Sequence, residues 1–179
     1  MQVERSEILA LLRACHIFKA LTDEDLEKVA DPIEAYLFAE NQTIFEQKSE
    51  ADAFYFILSG RVALKWRRHK RVDEEIREAQ DYFGEEALAA KPIARRGTAT
   101  AQSATIVLRL SSEALQALRQ TFPALAHPLR LVLNSYLLAV SVKLDWLGPR
   151  ENLHFITRRH WIFLLRKLLP VFIVDGLAV

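Results

Sequence analysis

Cysteine is nearly absent: Cys15 stands alone, so no disulfide can close within the chain and no cysteine-rich zinc site can assemble. Its apolar neighbours mark it as a buried thiol. An excess of one charge is missing too, because 24 Lys and Arg face 23 Asp and Glu. That balance excludes the global basic field of a nucleic-acid-binding protein, and no nucleic-acid partner is expected. No clean hydrophobic span exists either. The most apolar stretch, Trp161 to Val179, holds Arg166, Lys167, Pro170 and Asp175. Met1 to Glu7 is charged, and the apolar residues after it are periodic and interrupted by Arg13, so no signal peptide is visible and a cytoplasmic location is expected. His16, His127, His154 and His160 show no metal-ligand spacing, and no Ser, Cys or carboxylate stands in recognisable order with a base. The expectation is a non-enzyme with no metal and no cofactor.

What is present is core. Hydrophobic residues make up 51% of 179 positions, enough for one domain with an appendage but not for two full domains. Ile8, Leu9, Leu11, Leu12 and Cys15 form a helical stripe, with Phe18 and Leu21 closing a turn. Thr22 followed by Asp25 is close to a capping box, and Leu26, Val29 and Ala30 form the inner face of a second helix. From Pro32 to Arg68 the pattern changes to short β-rich runs turned at Ser59-Gly60, with further strand pairings across Val72 to Ala79 and from Thr98 to Leu110 around a break at Gln102-Ser103. Such closely spaced strands predict a closed roll or sandwich. The basic run Arg67 to Arg71 reads as a solvated hairpin tip, with a nucleic-acid patch as the alternative.

Ser111-Ser112-Glu113 opens a helix to Thr121, and Pro123 marks the entry to a long one reaching about Leu147. Two apolar stripes run along it: Leu133, Leu137, Val140, Leu144 and Leu147, and Leu129, Val132, Tyr136, Ala139 and Lys143. One is expected on the roll. The other, with Leu129, Val132, Tyr136 and Ala139, is assigned to a partner, giving a homodimer through 123–147; complete burial within one domain is the alternative. Gly148-Pro149 ends the helix, and 148–179 is an apolar, basic tail. Arg158, Arg159 and His160 ahead of Trp161 suit a segment lying on the inner face of the cell membrane, against the alternative of a tail packed on protein. An apolar end after Asp175 is what truncation would leave.

The richest stretch is Asp81 to Ala101. Gly84 breaks a strand-like approach, Tyr82 and Phe83, where a helix-forming run from Glu85 to Ala90 begins, so free N–H groups of a first turn are expected to face outward and attract an anion. Glu85 and Glu86 sit on that turn. A carboxylate beside an anion site makes sense if it accepts hydrogen bonds from a neutral hydroxyl, as a ribose offers. Ten positions after Glu85 comes Arg95, whose planar fork can pair two phosphate oxygens. Helix turn, acid and arginine together suggest a nucleotide.

Phe83-Gly84-Glu85-Glu86-Ala87-Leu88 followed by Arg95-Arg96-Gly97-Thr98-Ala99 resembles the phosphate-binding cassette of the cyclic-nucleotide-binding domain family. The upstream run Ala51 to Val62 is similar to that family's second signature, and together the resemblance covers roughly Ile8 to Leu147. Lys48 stands where the family commonly has Gly, and Arg96 where it has a small residue. The resemblance implies an α+β fold: a jelly-roll-like β-roll at about 32–111, N-terminal helices before it, and capping helices at 112–147, all within a domain of 1–147. It implies a site at Phe83, Gly84, Glu85, Glu86, Ala87, Arg95, Arg96 and Gly97, with Glu85 on the ribose 2′-hydroxyl and Arg95 on the cyclic phosphate. The N–H groups of Ala87 and Arg96 would meet the same phosphate. The ligand would be cyclic AMP or cyclic GMP, and the long helix would move to signal. A degenerate, non-binding scaffold and a fragment of a Crp/Fnr-type transcription regulator are the alternatives.

Overall fold

Strand β3, Ala53–Ser59, explains how one sheet serves two cores. Five consecutive residues, Ala53 to Ile57, are buried, and successive side chains of a strand point to opposite faces. Phe54 and Phe56 enter a cluster shared with the helices, whereas Ala53, Tyr55 and Ile57 enter one that fills the roll. The computed structural model describes residues 3–68, 71–91 and 93–141. Within it, β1 (Glu34–Phe38), β8 (Thr105–Ser111), β3 and β6 (Tyr82–Phe83) form one four-stranded sheet in that order. The second sheet runs β2 (Thr43–Phe45), β7 (Thr98–Ala101), β4 (Arg61–Arg68) and β5 (Arg71–Glu78). All pairings are antiparallel, giving the expected α+β β-roll.

Thr98 to Leu110 is not one hairpin. β7 pairs with β2 and β4, and β8 with β1 and β3, so the break at Gln102-Ser103 carries the chain from one sheet to the other. The crossover is fastened at Gly60, whose φ of 90° lies in the left-handed region and where a Cβ would come within 2.4 Å of Thr105 Oγ1. The buried Thr105 hydroxyl accepts from the Arg61 N–H at 3.2 Å. β4 and β5 pair as far as residues 68 and 71, which stand opposite one another, and the tip of the basic run at 69–70 lies outside the described residues.

The helices follow their caps. In α1 (Arg5–Ala14) Glu4 and Glu7 form a capping box. In α2 (Asp23–Ala30) the Asp25 N–H donates to Thr22 Oγ1 at 3.2 Å while the Thr22 N–H donates to Asp25 Oδ2 at 3.1 Å, so aspartate completes the box. Between them a 3-10 turn, His16–Phe18, buries Ile17 and Phe18. Cys15 is buried, and loss of water pushes its thiol up to about 11, which makes it unreactive. Ser111 caps α3 (Ser112–Thr121), accepting from the Ala114 N–H at 3.1 Å.

After a 3-10 turn at Pro123–Leu125 comes α4, Ala126–Ser141, and here the sequence expectation is corrected. Leu129 and Val132, assigned above to a partner, are buried in the main core at 1% and 2% exposure. Tyr136 on the same stripe is turned into the domain. Leu133 of the other stripe is only partly buried against that core, and Leu137, like Leu131, is exposed. The helical period alone cannot say which stripe meets the roll. Lys143, Leu144, Leu147 and the tail 148–179 lie outside the described residues, and no helix among the described residues is long and apolar enough to cross a membrane.

Val132→Glu should therefore cost about 3 kcal/mol or more of folding stability by burying an unpaired carboxylate, whereas Leu131→Glu should stay within about 0.5 kcal/mol. Urea denaturation of the two variants decides it; equal stability would place Val132 outside the core.

Candidate functional site

Gly84 is the pivot of the cassette. Its φ of 83° reverses the chain after β6, and a Cβ there would come within 2.7 Å of Arg95 Nη1. The run beyond it forms a single 3-10 turn, Glu85–Leu88, shorter than the helix expected to Ala90. Its N–H groups are not all free: that of Ala87 donates to the Gly84 carbonyl at 3.0 Å. Phe83 is fully buried and stacks on Tyr55 at 5.0 Å, so it supports the roll interior. Gly97 permits close approach to β4, because a Cβ there would lie 2.8 Å from the Lys65 carbonyl.

Arg95 is held before it reaches any β-strand. Its N–H donates to the Ser49 carbonyl and its carbonyl accepts from the Lys48 N–H, both at 2.8 Å, beside an antiparallel bridge between Glu50 and Ala94. Lys48 adopts a φ of 74° to make this turn, the conformation that glycine takes without strain. The guanidinium thus placed is 1% exposed. Nη1 donates to the Gly84 carbonyl at 3.2 Å, and Nη2 to the Ala53 carbonyl at 2.6 Å and to Asp52 Oδ1 at 3.2 Å. The cation lies over the Phe45 ring, 4.2 Å from its centroid. Nε has no hydrogen-bond partner among the described residues.

Both acids of the turn are buried, and they do different things. Glu86 accepts from the Arg96 N–H at 3.0 Å and from the Tyr136 hydroxyl at 2.5 Å, and lies 3.6 Å from Arg95 Nη1. The Arg96 side chain is exposed, and its backbone N–H is the group that donates to Glu86. Glu85 instead faces β5, where Arg77 Nη2 is 3.7 Å away and also pairs with Glu75 at 2.9 Å. Burial raises the Glu85 carboxyl to about 7 despite Arg77, and the neighbouring Glu86 charge adds to the rise. Burial opposes ionisation of Asp52 as well, but Arg109 and Arg95 together hold it below its ordinary value. Its Oδ2 accepts from Arg109 Nη2 at 2.9 Å.

Gly84, Glu85, Glu86, the backbone of Ala87 and Arg96, and Arg95 therefore share one location. Sequence reasoning missed Tyr136, Arg77, Asp52 and Phe45 as its neighbours. Only Tyr136 carried a legible signal, a hydroxyl within an otherwise apolar stripe. Arg77 is brought in by the β4–β5 register, which sets it opposite the fully buried Val62.

The two four-stranded sheets form a β-roll in which a buried arginine stands beside a glycine-initiated turn. The family model described as cyclic nucleotide-binding domain matches residues 37–122, and that region belongs to this family. Solved structures agree on the fold. The catabolite activator protein of Thermus thermophilus is 26% identical, covering 72% of this chain and 61% of its own length with a TM-score of 0.64. The sensor domain of the transcriptional regulator DNR from Pseudomonas aeruginosa is 22% identical over 80% of this chain and 97% of its own, at 0.65. The regulatory domain of Toxoplasma gondii PKA, solved with cAMP, is 24% identical over 68% of this chain and 46% of its own, at 0.60.

The raised carboxyl of Glu85 makes stability depend on pH. Between the ordinary glutamate value of 4.5 and about 7 the folded protein binds this proton more tightly than the unfolded chain, so the contribution of Glu85 to stability is fully present below this window and is lost as pH rises through it. The full effect is about 3 kcal/mol. Glu85→Gln should flatten that slope; urea titrations at several pH values that leave it unchanged would assign the proton elsewhere.

Proposed function

We propose that this domain is a non-enzymatic cyclic-nucleotide sensor, taking cyclic AMP or cyclic GMP in the β-roll and signalling through α4. The observation that carries the reading is the convergence of Arg95 and the Arg96 N–H beside the Gly84 turn, with Tyr136 of α4 reaching the same turn. A cyclic phosphate takes its charge partner from Arg95 and a backbone donor from Arg96. Glu85 takes the ribose 2′-hydroxyl, and its high proton affinity lets it donate as well as accept. Phe83, Gly84 and Gly97 shape the wall. The ligand can drive α4 only by preferring one of its positions, since equal affinity for both shifts nothing.

A second reading, a scaffold that has lost its ligand, is favoured by one observation: Arg95 already donates to Gly84, Ala53 and Asp52. Titration calorimetry with cyclic AMP, cyclic GMP and their 5′-monophosphates separates the two. The sensor reading expects binding of at least one cyclic nucleotide, weakened tenfold or more in Arg95→Lys, which keeps charge but loses the fork. It also expects weaker binding of the 2′-deoxy ligand. No binding to a folded wild type would favour the scaffold.

The homodimer is proposed through the outer face of α4, where Leu131 and Leu137 are exposed. Membrane contact is proposed through 158–179, at the inner face of the cell membrane. Light scattering of Leu131→Glu/Leu137→Glu should show monomers where the wild type is dimeric; a monomeric wild type at high concentration would remove the dimer.

A further inference from the structure

Three donors close on one carboxylate in this site. The Arg96 N–H and the Tyr136 hydroxyl both donate to Glu86 Oε1, at 3.0 and 2.5 Å, and Arg95 Nη1 stands 3.6 Å from Oε2. Glu86 is 5% exposed, so these contacts are made out of water, where charge-assisted bonds are strongest. The donors come from two separate parts of the fold: the approach to β7, which supplies both the Arg96 N–H and the buried Arg95 guanidinium, and the long helix. A cation, a backbone N–H and a hydroxyl converging on one point make an oxyanion site, and its occupant is an anion of the chain itself. A carboxylate offers two oxygens and a negative charge, as one face of a phosphate does.

The neighbouring acid shows that this is not a general property of the turn. Glu85, one residue earlier and equally buried, faces Arg77 on β5 and takes none of the three donors. Glu86 also reaches beyond the roll. α4 is anchored in its first half by Leu129 and Val132 in the core, while Tyr136 ties its second half to the cassette turn. Burial holds the phenol protonated, and the Glu86 charge adds to that, so the hydroxyl remains a donor.

We propose that Glu86 is a built-in anion that occupies the phosphate position of this site and holds α4 through Tyr136, so that a ligand's phosphate must displace this carboxylate and in doing so releases the second half of α4. The proposal rests on the nucleotide reading of the site above and names the regulation of that site. Ligand affinity is lowered by the work of displacing Glu86, and the same displacement couples occupancy to the helix. Glu86 is thereby a specificity residue: it penalises ligands that carry a phosphate and is neutral toward those that do not.

The test measures binding of cyclic AMP, adenosine and inorganic phosphate to the full chain and to Glu86→Ala and Glu86→Gln, each checked for folding by circular dichroism. Glu86→Ala vacates the anion position and should bind cyclic AMP at least about tenfold more tightly than the wild type. Glu86→Gln keeps an acceptor for Arg96 and Tyr136 without the charge and should fall between; if the alanine variant does not fold, the glutamine variant decides alone. Adenosine affinity should not move, and a parallel gain for adenosine would mean that the substitution merely opened the cavity, overturning the assignment. Unchanged or weaker cyclic AMP binding in the folded variants would overturn it too, leaving the sensor reading intact. Failure of every form to bind a cyclic nucleotide would instead remove the sensor reading. Inorganic phosphate then decides for Glu86: uptake by the variant and not by the wild type keeps it as the resident anion, and no difference between them overturns it.

Discussion

A guanidinium taken out of water is the constraint on which this domain turns. Arg95 is almost fully buried, and an unpaired cation there would cost several kcal/mol. The surrounding structure answers with two carbonyls, two carboxylates and an aromatic face. Those groups come from β2, the segment before β3, the start of β3 and the turn after β6, while the arginine itself comes from the stretch before β7. The buried charge thereby forces both sheets and the cassette turn into one arrangement. The left-handed Lys48 and the left-handed Gly84 are the backbone conformations that let the chain comply.

Electrostatics then divide the site into two halves. On one side Asp52 bridges Arg95 and Arg109, and its carboxylate is stabilised by both. On the other, Glu85 and Arg77 make a looser contact at 3.7 Å, and burial prevails over the attraction, leaving a carboxyl that titrates near neutrality. Glu86 lies between them, held by Arg96, Tyr136 and Arg95. An anion entering such a site competes with anions already present.

Two kinds of contact hold α4 in place. Leu129 and Val132 bury α4 in the main core, which includes Ala87 and Leu88 of the cassette turn, and Tyr136 adds a hydrogen bond to Glu86 of that turn. Apolar burial is insensitive to the charge of a ligand, whereas a hydrogen bond to a carboxylate is not. A helix anchored by the first and tied by the second can respond at one end while remaining docked at the other.

Much of this was legible in the sequence. The β-rich run turned at Ser59-Gly60 marked strands, Thr22 with Asp25 marked a helix start, and Gly84 marked the turn that opens the cassette. These are local properties, set by backbone geometry and by the period of strand or helix. What the tertiary structure alone decided is which of two apolar stripes on α4 meets the roll, that Thr98 to Leu110 divides between two sheets, and that Glu86 rather than Glu85 faces Arg95 and Tyr136. Each of these depends on the relative placement of segments distant in sequence. Period and spacing are unchanged when a helix rotates or a hairpin opens, so only the packed chain distinguishes the outcomes.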